Sequence, residues 1–396
     1  MSYGVWAQVV GQPEAIEILT ATAASAAAQV EGTADGAGMI HAWLFTGPPG
    51  SGRSVAARAF AAALQCVTGQ GCGECPGCRT TMAGTHADVR LVVPEGLSIS
   101  VAEMRALVQT SARRPTGGRW QVVIIEDADR LTEGAANALL KAIEEPPERT
   151  VFLLCAPSDH PDDVPVTIRS RCRPVALRTP APAAIAEVLQ VRDGLDEATA
   201  TWAASVCGGH VGRARRLGTD PAARDRRDAV LRIPLHLRRL ADVFECADDL
   251  VKTAEADASE VSGARDEVEK EALKTAMGYG GTGKGAATAS RGSAGAIKEL
   301  ERRQKSRATR TQRDALDLAL VDLAGFYRDV LVTTSRSPAT LTHPDRAADI
   351  HQAAAAWPAE STLRRLEAVL ACREAIELNV KPRIAVEAML TTLYRG

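Results

Sequence analysis

The sequence has no run that approaches eighteen apolar residues, the length that a membrane-spanning helix requires. Its first stretch, MSYGVWAQVV, lacks a basic segment leading into an apolar one, so it does not resemble a secretory signal. A large excess of either charge is also missing, because the net charge is only −2. We therefore expect a cytoplasmic protein with no membrane contact, in which any contact with nucleic acid depends on a local basic patch.

Cysteine, in contrast, is concentrated in one short segment. Four of the nine cysteines lie at Cys66, Cys72, Cys75 and Cys78. Four thiolates on a short loop are the ligand set of a closed tetrahedral Zn²⁺ site, which leaves no open position for catalysis. Disulfides are the alternative, and a reducing cytoplasm disfavours them. We predict a structural zinc module at 66–78, with Zn²⁺ as its cofactor.

Buried strands that alternate with helices predict an α/β domain with a parallel sheet in the first part of the chain. The third strand shows no polar alternation, as expected where both faces of a sheet are covered. The four predicted strands are HAWLFTG at 41–47, VRLVVPE at 89–95, WQVVIIED at 120–127 and TVFLLCAP at 150–157. After about residue 178 every long segment has a helical period, so the predicted fold class is α/β followed by all-α.

The helical part contains one segment of different composition. Residues 277–295 are low in complexity and rich in glycine, and a basic run continues from them to residue 313. Such a composition is typical of flexible segments. We predict a mobile insertion over about 255–310, and the role of residues 277–313 stays open.

The stretch GPPGSGRS at 47–54 fits a phosphate-binding loop, since it joins a predicted strand to a predicted helix. Its glycines allow backbone amides to close around phosphates, and the Ser54 hydroxyl would bind Mg²⁺. Arg53 stands where such loops carry lysine, and its longer, forked side chain is not an equivalent. The predicted nucleotide-binding residues here are Gly47, Gly50, Ser51, Gly52, Arg53 and Ser54. The alternative is a glycine turn without a ligand, and GGTGKG at 280–285, which follows no strand, is not predicted to bind phosphate.

The third predicted strand ends in the acidic pair Glu126-Asp127. Acids at this position of an ATPase hold Mg²⁺ and orient the attacking water. The usual order is Asp then Glu, and here it is inverted, so Asp127 is one methylene shorter than the expected base. We expect ATP and Mg²⁺ to bind with weak hydrolysis or none. The alternative is that both acids only cap the next turn.

Together these elements resemble the subunits of the bacterial DNA polymerase III clamp loader, within the AAA+ ATPases, and most closely the delta-prime type. The resemblance covers most of the chain. Besides the four cysteines, it is carried by VWAQVVGQPEAIEIL (5–19), HAWLFTGPPGSGRS (41–54), VVIIEDADRLTEGAANALLKAIEEPP (122–147), TIRSRCRP (167–174), GGHVGRARRL (208–217) and NVKPRIAVEAML (379–390).

The resemblance implies an AAA+ RecA-like domain at 1–177, a helical lid at 178–222 and a helical collar for oligomerisation at 223–396. It places Arg171, in Ser-Arg-Cys, as an arginine finger acting in trans on the ATP site of an adjacent subunit. It places Arg213 as the nucleotide-sensing arginine of the lid. A surface ion pair is the alternative role of Arg171.

The resemblance also implies a hetero-pentamer with gamma/tau- and delta-type subunits, which loads the sliding clamp onto primed DNA as part of the polymerase III holoenzyme. Because Arg53 and the Glu126-Asp127 order depart from the ATPase pattern, we expect a largely non-hydrolysing stator. One alternative is a gamma/tau-like motor. Another is a standalone zinc-containing DNA-binding protein that uses the basic run at 298–313, although such a run is more often a solvated helix face.

Overall fold

The structure, a computed structural model, describes residues 4–32, 39–111, 114–117, 119–276 and 286–396. For residues 261, 264, 274, 276 and 286–294 it describes the backbone alone. The chain forms two units, of which the first ends at Thr219 and the second begins at Asp220.

The first unit contains a sheet of five parallel strands. They are β1 (Ala42–Thr46), β2 (Val89–Val92), β3 (Gln121–Ile125), β4 (Thr150–Ala156) and β5 (Arg173–Ala176). Their order across the sheet is β2-β3-β4-β1-β5, so the first strand lies between the fourth and the fifth. All residues of β3 and β4 are buried. The four predicted strands are therefore confirmed, with ends that differ by a few residues.

The fifth strand was not predicted. It is four residues long, contains Pro174, and buries only Val175. It pairs with β1 at the edge of the sheet, where a residue without an N–H group is tolerated. No apolar run marks it in the sequence.

Helices cover both faces of this sheet. Along β1, Trp43 and Phe45 pack in one core cluster with the alanine-rich helix that follows the glycine loop, whereas Leu44 packs in a second cluster on the opposite face. The helices of the first unit are α1 (Pro13–Glu31), α2 (Arg53–Leu64), α3 (Pro76–Met82), α4 (Val101–Ser111), α5 (Glu133–Glu144), α6 (Val166–Arg169), α7 (Pro182–Asp193), α8 (Glu197–Val206) and α9 (Val211–Thr219). The last three pack on one another in the region of the predicted lid.

A capping box begins α4. The Ser100 N–H donates to Glu103 Oε2 at 2.7 Å, and the Glu103 N–H donates to Ser100 Oγ at 3.3 Å. These two reciprocal bonds satisfy backbone donors that the first helical turn leaves without partners.

The second unit is helical throughout its described residues. Its helices are α10 (Pro221–His236), α11 (Leu240–Ala276), α12 (Ala286–Thr334), α13 (Ala347–Ala356), α14 (Ala359–Glu377) and α15 (Pro382–Arg395). They share one apolar core, in which Tyr327 and Phe326 of α12 are fully buried. The predicted fold class, a parallel α/β domain followed by an all-helical region, is confirmed.

The structure differs from the expected mobile insertion at 255–310. Most of that range belongs to α11 and α12, which pack against each other in antiparallel directions. Arg307 of α12 donates to Asp266 at 2.6 Å and to Glu269 at 2.5 Å, both on α11. Charged residues that the sequence suggests are part of a solvated linker thus form ion pairs between two helices. The glycine-rich residues 277–285, including GGTGKG, lie outside the described residues.

Candidate nucleotide and metal sites

The loop between β1 and α2 depends on glycine for its shape. The φ angles of Gly50 and Gly52 are 86° and 91°, in the left-handed region that favours glycine. A Cβ atom on Gly50 would lie 2.6 Å from the Cα of His210, at the start of α9. The loop therefore passes so close to the lid helices that no other residue fits at this position.

Two buried polar atoms of this loop have no hydrogen-bond partner among the described residues. They are the Ser51 hydroxyl oxygen and one terminal nitrogen, Nη1, of the Arg53 guanidinium. Buried polar groups are nearly always hydrogen-bonded, so such atoms point to a group that completes the site. A hydroxyl and a guanidinium beside a glycine loop at the N-terminus of α2 are suited to bind phosphate oxygens. The arrangement fits the predicted nucleotide.

The acidic end of β3 is already partly neutralised from within the chain. Glu126 Oε1 lies 3.6 Å from Arg58 Nη2, on the second turn of α2. Asp127 has a φ of 51°, and its side chain makes no capping hydrogen bond to the short 3-10 helix that follows, at Ala128–Arg130. The simple capping role is therefore not supported for Asp127, and Glu126 faces a cation of its own chain.

A third acid, Asp129, belongs to the same group and was missed by sequence reasoning. Its Oδ1 atom is buried without a hydrogen-bond partner among the described residues. Burial raises the pKa of Asp129, the charge of Asp127 adds to this, and the charges of Arg130 and Arg53 oppose it. Arg53 is thus within electrostatic range of the acids after β3, as a phosphate-loop cation must be.

The helices of the predicted lid, α7 to α9, bring Arg213 toward the same loop. Arg213 is half-buried on the first turn of α9, and its backbone N–H donates to His210 Nδ1 at 3.2 Å. Burial lowers the pKa of His210, and the positive charges of Arg213 and Arg53 lower it further. His210 therefore lies within electrostatic range of two predicted nucleotide-binding arginines. The segment GGHVGRARRL contained it, but only the fold shows its contact with Gly50.

Arg171 lies apart from this loop, just after α6. Its Nη1 donates to the Thr167 carbonyl at 3.0 Å, and its Nη2 lies 2.7 Å from Glu144 Oε1 at the end of α5. Both side chains of this ion pair are about 40% exposed, with relative exposures of 41% and 40%. The guanidinium is thus held at the surface by one carboxylate, and an external anion could reach it.

The four clustered cysteines converge on one point. Their sulfur atoms all lie within 4.8 Å of one another. The Cys66 and Cys72 sulfurs are 3.6 Å apart, far beyond the ~2.05 Å of a disulfide bond. The Cys75 side chain also accepts the N–H of Cys78 at the start of α3. This is a set of ligands that could hold a metal ion.

Hydrogen bonds favour the metal-binding thiolate form of Cys66 and Cys75, whose pKa values they lower. Burial raises the pKa of Cys66, but bonds from Thr68 and from the Cys72 backbone outweigh it and lower the pKa to about 5. Burial raises the pKa of Cys78, and the negative charge of Cys66 raises it further. A divalent cation would remove that repulsion, because it attracts all four thiolates at once.

The N-terminal segment packs on the cysteine loop, which the sequence did not reveal. The Val5 N–H donates to the Gly71 carbonyl at 3.0 Å, and Trp6 Nε1 donates to the Gln70 carbonyl at 2.9 Å. A Cβ atom on Gly71 would lie 2.7 Å from the Val5 side chain. The cluster therefore joins the N-terminal segment, the end of α2 and α3.

The basic run at 298–313 is largely paired with acids. Arg302 and Arg303 contact Glu299, and Arg310 contacts Asp314, in addition to the Arg307 bonds to α11. A run neutralised in this way offers little positive potential to a phosphate backbone. Separately, no helix within the described ranges is long and apolar enough to cross a membrane.

The α/β part of the chain is similar to known proteins. The family described as "DNA polymerase III, delta subunit" matches residues 24–181. The DNA polymerase III subunit delta' of Bacillus subtilis is 36% identical over 157 residues, which cover 39% of this chain and 47% of that protein. The subunit delta' of Yersinia pestis is 41% identical over 137 residues, covering 33% and 40%.

Subunits of the other type are about equally similar. The subunit tau/gamma of Haemophilus influenzae is 38% identical over 135 residues, covering 33% of this chain and 19% of that protein. A solved DNA polymerase III gamma subunit-related protein from Thermotoga maritima covers 94% of this chain and 99% of its own, at 15% identity and a TM-score of 0.39. The chain spans less than half the length of these curated relatives. Across residues 24–181, the chain is therefore similar to DNA polymerase III subunits of both the delta-prime and the tau/gamma type.

Proposed function

We propose that this protein is the delta-prime-type subunit of a DNA polymerase III clamp loader. In this role it assembles with gamma/tau- and delta-type subunits into a hetero-pentamer that places the sliding clamp on primed DNA. It acts as a rigid stator and hydrolyses little or no ATP itself. The similarity of residues 24–181 to DNA polymerase III subunits supports the assembly, and the choice of the delta-prime type rests on the phosphate-loop site.

The observation that carries this choice is the ion pair between Glu126 and Arg58, 3.6 Å apart. A working ATPase of this class needs the acids after β3 to hold Mg²⁺ and to orient water. Here Arg58 competes for the first acid, and Arg53 replaces the compact ammonium of lysine with a planar guanidinium. ATP could still bind, with Mg²⁺ on the Ser54 hydroxyl. Poor positioning of water would then keep turnover low.

The chemistry that the chain supplies is at Arg171. Its guanidinium is exposed and held by a single carboxylate, so it can turn to a phosphate of a neighbouring subunit. There it would donate two parallel hydrogen bonds to γ-phosphate oxygens of the neighbour's ATP. These bonds strengthen as negative charge develops during hydrolysis. Arg213, beside His210 at the phosphate loop, would sense a nucleotide bound in this chain's own site.

The four cysteines would hold Zn²⁺ in a structural role. Four sulfur ligands close the tetrahedron, so the ion supplies no open coordination position for a reaction. Bound metal would fix the turn between α2 and α3 and the N-terminal segment that packs on it. Removing it should therefore loosen this part of the fold and leave chemistry at Arg171 intact.

Co-expression with gamma/tau- and delta-type subunits tests the proposal. We expect a stable complex that contains this chain, and no ATP turnover by the isolated chain. Turnover by the isolated chain would support the motor alternative. Salt-sensitive DNA binding by the isolated chain, without assembly, would support the standalone alternative.

A further inference from the structure

Gln12 links two segments that are far apart in the sequence. Its side-chain Nε2 donates to the Ser51 carbonyl at 3.2 Å and to the Arg178 carbonyl at 2.6 Å. Its Oε1 accepts the backbone N–H of Arg178 at 3.1 Å. Ser51 lies in the phosphate loop, and Arg178 lies between β5 and the lid helix α7. One buried amide thus holds the loop and the connector to the lid together.

The neighbouring residues fix the position of this amide. Gly11 has a φ of 70°, and a Cβ atom there would lie 3.2 Å from Pro180 Cβ in the connector. Pro13 begins α1, and Gln12 directly before it has a φ of −123° and a ψ of 55°, outside the helical region that a following proline disfavours. Gln12 is only 5% exposed, so water has little access to compete for the hydrogen bonds of its side-chain amide. The sequence Gly-Gln-Pro therefore presents the side chain in one place.

Other contacts show that loop and connector are close neighbours. The Leu177 N–H donates to the Thr46 carbonyl at 2.7 Å, and a Cβ atom on Gly47 would lie 2.5 Å from the Leu177 carbonyl. Among the described residues, however, only Gln12 forms hydrogen bonds to the backbone of both Ser51 and Arg178. A displacement of the loop at Ser51 must therefore either move Arg178 or break a bond of Gln12.

We infer that Gln12 is a positioning residue that couples the phosphate loop to the connector of the lid. When a ligand moves the loop, Gln12 passes the movement to residues 177–180, and a movement of the lid returns to the loop by the same amide. The inference rests on the proposed function only in taking the loop as a nucleotide-binding site. The coupling between loop and connector should be present in the chain without nucleotide.

Hydrogen exchange of the isolated full chain, without nucleotide or other subunits, tests this coupling. Gln12→Met keeps the approximate volume and removes all three bonds. The matched control is Gln65→Met, since Gln65 is equally buried and also joins distant segments through Arg119 and Trp120, away from the loop. Relative to this control, Gln12→Met should speed amide exchange in 47–54 and 177–180 on the order of 10-fold. Equal acceleration in both variants would show that Gln12 only stabilises the fold.

A double-mutant cycle measures the coupling directly. Thr179→Gly loosens the connector at an exposed position. In the wild type it should speed exchange in the phosphate loop, and in the Gln12→Met background it should add little. Additive effects would overturn the inference. Gln12→Glu is the second variant should methionine prevent folding. It keeps the acceptor for the Arg178 N–H but loses the donor to the Ser51 and Arg178 carbonyls. It should loosen the loop, which keeps no bond to residue 12, more than the connector, which keeps one, and equal loosening of both segments would count against the coupling. These measurements use the isolated chain, so they do not depend on assembly with clamp-loader subunits. A failure of the proposed function and a failure of the Gln12 coupling can therefore be distinguished.

Discussion

Arg171 and Glu144 form an ion pair at the surface of the first unit, with 2.7 Å between Nη2 and Oε1. Exposed pairs of this kind contribute only about 0–1 kcal/mol to stability, because water screens them. In the proposed function, Arg171 would therefore exchange Glu144 for a phosphate of a neighbouring subunit at little cost. The ion pair would orient the proposed arginine finger without preventing it from binding that phosphate.

Replacing Glu144 with glutamine tests this interpretation. Glu144→Gln removes the competing charge and leaves Arg171 with its bond to the Thr167 carbonyl. We expect the unfolding free energy to change by less than about 1 kcal/mol, since the pair is half-exposed. ATP turnover by the assembled complex should be unchanged or slightly higher. A large loss of stability by chemical denaturation would mean that the pair is structural.

The cysteine cluster should bind about one equivalent of zinc per chain. Cys75→Ser or Cys78→Ser should release it and destabilise the turn between α2 and α3. Cys155→Ser and Cys372→Ser are matched controls, because both residues are buried away from the cluster and should leave the zinc content unchanged. Metal analysis of the purified protein gives the answer. Metal-free protein with four titratable thiols at this site would contradict the prediction.

The isolated chain should hydrolyse ATP poorly or not at all. Arg53→Lys alone should not restore turnover, because Arg58 still pairs with Glu126. Combining it with Glu126→Asp and Asp127→Glu recreates the usual acid order and should raise turnover above that of the single variant. A steady-state assay of ATP hydrolysis by the isolated chain tests this prediction. A wild-type turnover rate of ~1 s⁻¹, at the low end of ordinary enzymes, would refute the stator role.

Stability should fall on acidification because of His343 in the second unit. Its Nδ1 faces the Arg227 guanidinium at 3.0 Å, which can only donate, and its Nε2 faces the Asp322 carbonyl at 3.0 Å. Burial lowers the pKa of His343, although Asp322 opposes the shift. The unfolded chain therefore takes up a proton near pH ~6.5 that the folded chain resists. Stability is complete above that pH and declines below it.

Denaturation curves at pH 7.5 and pH 5.5 measure this effect, whose limit is about 1.4 kcal/mol per pH unit. His343→Gln should lower stability at pH 7.5 but flatten its dependence on pH. His351→Gln, at an exposed position on α13, should keep the wild-type dependence. If His343→Gln has the same slope as the wild type, another group is responsible.

The sequence predicts those features that depend on local chemistry. Apolar runs located β3 and β4, and the cysteine spacing located the sulfur cluster. Other features depend on approaches between distant segments. Gln12 reaches Arg178, and His210 reaches Gly50, only after the sheet has formed.

Two misjudged elements have equally physical reasons. The strand β5 has one buried residue and a proline, so nothing in its composition distinguishes it from a loop. The charged residues of α12 were expected in a mobile insertion, since composition cannot show that Arg307 pairs with Asp266 across to α11. The three domain boundaries inferred from the resemblance stay predictions.

The central claim is that Arg171 completes an ATP site in another subunit, and Arg171→Ala in the reconstituted complex tests it. The matched control is Arg169→Ala, two residues earlier at the end of α6, with a similar exposure and its own contact to Asp159. Both variants should fold and assemble. Removing a finger costs on the order of 10³-fold at one site, so bulk turnover should fall partly, because the other sites remain.

The rate of clamp loading onto primed DNA is the decisive readout, because loading is slowed when any one of the required ATP sites fails to hydrolyse ATP. We expect Arg171→Ala to lower the loading rate strongly, Arg171→Lys to recover little of it without the guanidinium fork, and Arg169→Ala to load as the wild type does. An assembled Arg171→Ala complex that loads clamps at the wild-type rate would show that Arg171 serves only its ion pair with Glu144.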